Sequence, residues 1–284
     1  MPLNSVNTNM GATIALQSLN ATNNALQATQ KHISTGYRVA DATDDGAAYA
    51  VAQRVRSDVN ALTSANQQLG NVQGLLSTTN TALNNVSNTM SDARNVLVKL
   101  ADSNTQGTQR AQYIQQFKSL VSNMKSFFQD ASYSGKTLVG DVGGASGFGS
   151  VAVVRNEVAA TYGIATYSGS AFMASVSFTS TQLNGAATVA SLIGTASGAT
   201  FINQLNKLGT AMNTYGSAYK YVANQVSYNS DKMDALNNGL GALIDADLAK
   251  ESAKLQSLQI RQQLGTQSLS IANQAPQSLL SLFK

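Results

Sequence analysis

The two prolines of this 284-residue chain stand near its ends, Pro2 and Pro276, and nothing between them forbids a helix of any length. Proline removes a backbone donor and clashes with the preceding turn, so an interior without it permits helices of many turns. The apolar residues show how that freedom is used. Leu3, Val6, Met10 and Ile14 fall three or four apart, one face of a helix, and Leu19, Leu26 and Ile33 continue at sevens. At the other end Leu248, Leu255 and Leu269 share a seven-residue register that Gln262 interrupts, with Leu258 and Ala272 in the companion position. Heptads at both ends predict helices that pack lengthwise on other helices. Two amphipathic helices on an ordinary core satisfy the same pattern.

Between the ends, Ser34-Thr35-Gly36 predicts the stop of the first helix. Asp41 and Asp44, three apart and just before Gly46-Ala47-Ala48, are expected as the N-cap and first-turn acid of the next. That helix carries Val51, Val55, Val59, Leu62, Leu69, Val72, Leu76, Leu83, Val86, Met90 and Leu97. At 1.5 Å per residue it extends roughly 75 Å, a length found in rods more than in compact enzymes. A break over residues 102–107 precedes a third helix with Tyr113, Phe117, Leu120, Val121, Met124 and Phe127 as its apolar stripe. From Asp141 to Asn206 only Asp141, Arg155 and Glu157 are charged, and Ser150–Val154 and Ala171–Phe178 read as short strands between glycine turns. Helical spacing returns at Phe201, Leu205, Leu208, Met212, Tyr215, Tyr219, Val222 and Val226, and Gly239-Leu240-Gly241 is expected to separate this helix from the terminal one. The fold class is mainly α: a long helical rod with a terminal-helix coiled coil and a small β-rich central insert.

The side-chain inventory removes most chemistry. Without cysteine there is no thiolate nucleophile, disulfide or thiolate-held metal. A single histidine, His32, excludes sites that need two imidazoles. Ser134-Gly135-Lys136-Thr137 looks like the tail of a phosphate loop, but the position five before Gly135 is Asp130, where the motif needs glycine, so a turn is expected. The net charge of +4 is scattered, with Arg54 and Arg56 its densest point, which argues against nucleic acid. No apolar run approaches a membrane span, and the first residues lack the basic and apolar regions of a secretory leader. No catalytic group, cofactor site or metal site is expected. What remains is helix surface of low charge, which can pack on copies of itself because few ions must be desolvated.

The residues at both ends carry a resemblance. Asn4-Ser-Val-Asn-Thr-Asn9, Ile33-Ser-Thr-Gly-Tyr-Arg-Val39 and Ala42-Thr-Asp-Asp-Gly-Ala-Ala48 are similar to the opening motifs of bacterial flagellins. Ile244-Asp-Ala-Asp-Leu-Ala-Lys-Glu251, Gln259-Ile-Arg-Gln-Gln263 and Ala272-Asn-Gln-Ala-Pro-Gln-Ser-Leu-Leu-Ser-Leu282 are similar to their ending. Tyr133-Ser-Gly-Lys-Thr-Leu138 resembles the start of the family's core hairpin. The likeness covers roughly residues 1–140 and 190–284. It implies an inner coiled coil, called D0 in the family, from residues 1–40 and 243–284. It also implies a D1 part from 41–140 and 191–242, and a variable β-rich outer part over 141–190.

The same resemblance implies a subunit that leaves the cell without a cleaved signal peptide, through the flagellar export apparatus with an export chaperone. Outside, it polymerises with other flagellin subunits into the filament used for swimming, and meets the filament cap and hook-junction proteins. It implies no membrane insertion. Leu3, Val6, Met10, Ile14, Leu19 and Leu26, with Leu248, Leu255, Leu258, Leu269 and Leu279, become expected D0 interface residues; ordinary core is the plainer role for each. The D1 segment read by a vertebrate innate immune receptor in many flagellins is degraded here. Arg94 matches, but Asp92 and Asn95 replace an arginine and a glutamate, so weak or absent recognition is expected. Thr166, Ser168, Ser170, Ser175, Ser177 and Thr179 crowd the outer part and are candidates for O-glycosylation. The rival readings are a hook–filament junction protein, with related terminal helices, and a monomeric secreted helical effector.

Overall fold

A computed structural model of the chain describes residues 8–143, 147–194 and 200–281, with side chains through Gln274. In chain order the elements are α1 (Met10–Thr35), α2 (Gly46–Ala101), α3 (Gly107–Gln129), β1 (Val151–Val154), β2 (Thr161–Ile164), α4 (Gly169–Val176), α5 (Ser180–Asn184), α6 (Ala186–Ile193), α7 (Thr200–Ile244) and α8 (Leu248–Ser281). The fold is mainly α, with one two-stranded sheet among the described residues. Two compact units divide it: residues 1–58 with 234–284, and residues 59–233.

In the 59–233 unit, heptads organise three long helices. From Leu62 to Leu100, steps of three and four along α2 land only on residues no more than 7% exposed, including Leu69, Leu76, Leu83, Met90 and Leu97. In α7 the same steps run through Phe201, Gln204, Leu208, Ala211, Tyr215, Ala218 and Val222 to Asn229. In α3 they run through Arg110, Ile114, Phe117, Met124 and Phe128. Buried residues of all three join one apolar cluster, as knobs-into-holes packing requires. The stripe of α3 is therefore centred on Ile114 and Phe128, while Tyr113, Leu120, Val121 and Phe127 of the expected stripe pack at its edges. A polar layer crosses the α2–α7 pair: the Asn229 amide donates to Asn66 Oδ1 at 2.8 Å and to the Arg155 carbonyl at 3.0 Å, and Gln225 donates to Asn229 Oδ1 at 2.9 Å.

The central stretch departs from expectation in part. Val151–Val154 does form a strand, paired antiparallel with β2 in the register Val151↔Ile164. The strand expected over Ala171–Phe178 is instead mostly α4. Ser168 caps it, its side chain accepting from Ala171 N at 3.1 Å, and Asp141 receives hydrogen bonds from Ser168 Oγ at 2.6 Å and from Ser170 N at 2.9 Å. Phe172 and Val176 fit either period, and the capped start settles the helix, burying both on one face.

In the other unit, Asn9 caps α1 and Gly36 ends it with φ 73° and its N–H on the His32 carbonyl. The cap of α2 is Asp45, whose Oδ1 accepts from Ala47 N at 3.1 Å and Ala48 N at 3.0 Å. Asp41 and Asp44, expected in that role, lie too far ahead of the first turn and take the Lys31 ammonium of α1 instead, at 2.6 and 2.9 Å. The two connectors pair: Arg38 N and Val39 N donate to the Ile244 carbonyl, and Ala246 N donates to that of Gly36. Gly239-Leu240-Gly241 does not interrupt α7. Leu240 and Leu243 pack on Val39, Ala48, Ala52 and Ile244, which offsets a helical glycine cost of about 1 kcal/mol each.

The Lys31 clamp sets a pH dependence. Its ammonium, then Thr43, hold the Asp41 carboxyl far below its ordinary 3.8, and Lys31, then Ala40, lower Asp44. The lysine is in turn raised above 10.5 by Asp41 and then Asp44. Folded carboxyl values below the unfolded ones mean that the carboxylate contribution is complete above about pH 4 and is lost as pH falls through the folded values. A folded lysine value above 10.5 means its contribution is complete below 10.5 and is lost at higher pH. Carboxyl NMR titration is expected to show Asp41 ionised well below 3.8, and Lys31→Met to raise it part of the way back, the Thr43 hydrogen bonds remaining. An unshifted Asp41 in the native chain contradicts the clamp.

Candidate assembly interface

The terminal helices run antiparallel. Asn9 Nδ2 donates to the Ala272 carbonyl at 2.8 Å, Gln262 Nε2 donates to Asn23 Oδ1 at 2.8 Å, and His32 Nδ1 lies 3.5 Å from Glu251 Oε1. Strict heptads of covered residues run along both: Ala12, Ala15, Leu19, Thr22, Leu26, Thr29 and Ile33 on α1, flanked by the partly covered Asn23, Ala25, Lys31 and His32, and Glu251, Leu255, Leu258, Gln262, Gly265, Leu269 and Ala272 on α8. Small residues let the backbones approach. A Cβ on Gly265 would stand 3.2 Å from Leu19 Cδ1. Gln262, which looked like a break in the register, pairs with Asn23 and pins it, because any axial slip leaves both amides without a partner.

Leu19, Leu26, Leu255, Leu258 and Leu269 thus lie in this seam. Met10, Ile14 and Leu248 do not; with Leu16, Ile260, Leu264 and Ile271 they are 47–63% exposed. Leu3 and Val6 lie outside the described residues, as does the side chain of Leu279. Sequence reasoning passed over Ala12, Ala15, Thr22, Thr29 and Gly265 because their side chains are small, although their spacing marks the seam. It also passed over Ile260, Leu264 and Ile271, whose spacings of four and seven trace a second face of α8.

Elsewhere, Asp92, Arg94 and Asn95 are exposed on α2. Of the hydroxyls in the central stretch, Ser168 and Ser170 donate to Asp141, Ser175 donates to the Ala171 carbonyl, and Thr179 caps α5. Thr166 is half-buried and Ser177 exposed. Residues 133–136 form the expected turn, Tyr133 and Lys136 exchanging backbone hydrogen bonds with Gly135 at φ 74°. Among the described residues no three His, Cys, Asp or Glu side chains gather as a metal would require, and no helix is long and apolar enough to cross a membrane.

The terminal helices thus form a closed pair with apolar residues left on its outer faces. Sequence comparison gives the chain a family. The bacterial flagellin N-terminal helical region matches residues 6–142, and the bacterial flagellin C-terminal helical region matches residues 199–283. The chain is 34% identical over 294 residues to a flagellin of Brucella melitensis, with 99% of each covered. It is 32% identical over 295 residues to flagellin FljK of Caulobacter vibrioides, with both covered in full. A flagellar hook-associated protein from Vibrio parahaemolyticus shares the fold, with a TM-score of 0.56 at 15% identity, over 71% of this chain and 100% of that one. The chain belongs to the bacterial flagellin family, and it is a structural subunit of the flagellar filament, not an enzyme.

Proposed function

We propose that the chain polymerises into the extracellular filament through the faces that α1 and α8 turn away from their shared seam. The observation that carries this is the exposure of Met10, Ile14 and Leu16 on one helix and of Leu248, Ile260, Leu264 and Ile271 on the other, beside a seam already filled. Covering the exposed half of each such side chain stabilises a contact by about 1 kcal/mol, so a lateral neighbour on these faces gains several. In this reading residues 1–40 and 243–284 make the inner layer, 41–140 and 191–242 the layer around it, and 141–190 the outward part. Export without a cleaved leader, a chaperone for the exported chain, and cap and hook-junction partners at the filament's ends belong to the same reading.

The test is electron microscopy of purified protein with short filament seeds, beside a version lacking residues 270–284. Long filaments from the full chain alone support the reading. A full chain that only caps the seeds favours the junction protein, which shares this fold, and one that stays monomeric favours the effector.

Two surface properties accompany it. With Arg94 flanked by Asp92 and Asn95, purified monomer is expected to activate receptor-bearing reporter cells weakly or not at all; potent activation contradicts this. For O-glycosylation, Thr166 and Ser177 are the acceptors we favour, because the hydroxyls of Ser168, Ser170, Ser175 and Thr179 already serve as donors or caps. An intact mass of filament protein equal to the bare chain contradicts the modification.

A further inference from the structure

The chain has two Asn-Gly steps, Asn184-Gly185 and Asn238-Gly239. At such a step the asparagine carboxamide and the next backbone nitrogen can meet, because glycine has no Cβ to hinder them. The two steps have opposite surroundings. Asn238-Gly239 lies inside α7, where the Gly239 N–H is engaged four residues back and helix continues on both sides. Asn184 is the exposed last residue of α5, and the chain leaves the helix at Gly185, whose own backbone is extended. The Gly185 N–H has no hydrogen-bond partner among the described residues, nor does the Asn184 carboxamide.

The carbonyl of the same peptide group is held by a cation. Arg110 Nε donates to the Asn184 oxygen at 3.2 Å. Arg110 is buried, and its other nitrogens donate to the carbonyls of Leu100 and Thr105, so its hydrogen-bond partners are all neutral oxygens. Arg110, Lys118 and Asn184 line an open cleft of about 740 Å³ that contains no carboxylate and admits water.

We propose that Asn184-Gly185 is a self-modifying site, at which the Asn184 carboxamide is lost by deamidation with Arg110 assisting. The Gly185 nitrogen gives its proton to hydroxide, and the negative charge left on the peptide group rests largely on the Asn184 oxygen, where the guanidinium stabilises it. The nitrogen attacks Asn184 Cγ and forms a new C–N bond; the carboxamide nitrogen takes up a proton and leaves as ammonia. Water then opens the five-membered imide at either carbonyl, giving aspartate or isoaspartate. One water is consumed, one ammonia is released and nothing is oxidised. The new carboxylate faces a cleft that already holds a lysine and an arginine, which favours the charged product.

Folded full-length protein and the same protein unfolded in urea are incubated in mildly alkaline buffer, and peptide mapping follows both asparagines, with isoaspartate separated from aspartate. In the folded chain Asn184 is expected to convert at least about tenfold faster than Asn238, and at least as fast as it does when unfolded, since a charge-assisted hydrogen bond to the reacting peptide lowers the barrier. Arg110→Gln slows Asn184 by about tenfold while Asn238 stays protected, and Arg110→Lys restores part of the rate. Should either variant unfold, Asn238 accelerates and reveals it, and the folded-against-unfolded comparison on the unaltered chain then decides. The proposal is overturned if folded Asn184 converts no faster than Asn238 or slower than in urea, or if folded Arg110→Gln leaves its rate unchanged.

Discussion

Replacing Ile260, Leu264 and Ile271 together by serine is expected to abolish seeded filament growth while leaving the free subunit's helix content and unfolding midpoint unchanged. The three lie outside the α1–α8 seam and are 58–63% exposed, so the isolated chain loses little buried surface. If they are covered on assembly, each replacement removes about 1 kcal/mol or more from the subunit contact. The three together then raise the concentration needed for growth by two to three powers of ten, roughly. Leu258→Ser makes the contrast. Its side chain is in the seam and buried, so helix content falls along with polymerisation. Normal growth of the triple variant would remove these faces from the assembly reading, and a matched loss of helix content would mean that they support the fold instead.

Phe128→Ala is expected to destabilise the 59–233 unit by about 3–5 kcal/mol. Phe128 is fully buried near the end of α3, with its ring centroid 5.3 Å from that of Phe172 at 59°. It also fills the space beside Gly169, where a Cβ would stand 3.0 Å from Phe128 Cδ1. Removing the ring leaves a cavity where α3, α4 and the segment around Val139 meet. The chain has no tryptophan, so tyrosine near-ultraviolet signals during urea unfolding report the loss. A shift worth less than about 1 kcal/mol would mean that the site collapses around the void.

The long helices were legible because side-chain burial follows the same 3.6-residue period that spaces the apolar residues, and Leu62 to Leu100 keep it without error. The terminal seam was legible only where it is leucine. Where it is Ala12, Ala15 or Gly265, contact depends on how closely two backbones approach, and the larger Met10 and Ile14 drew attention to a face that the free chain leaves uncovered. α4 was misread because Phe172, Val176 and Phe178 fit two periods at once, and the residue that anchors its start, Asp141, lies 27 positions from Ser168. The Arg110–Asn184 contact spans 74 positions and follows no motif. Its two partners come together only after the chain has folded.

The nesting of one unit inside the other's sequence bears on the order in which they form. Asn23 and Gln262 are 239 residues apart, and bringing two such points together in an open chain carries the full entropy of a large loop. The Asn66–Asn229 contact spans most of that loop. Once they have met, only the short arms beyond them remain to be joined, and each helical turn that zips shortens what is left. Closing the seam after that contact costs about 1 kcal/mol less than closing it in the open chain, because loop entropy grows only with the logarithm of length.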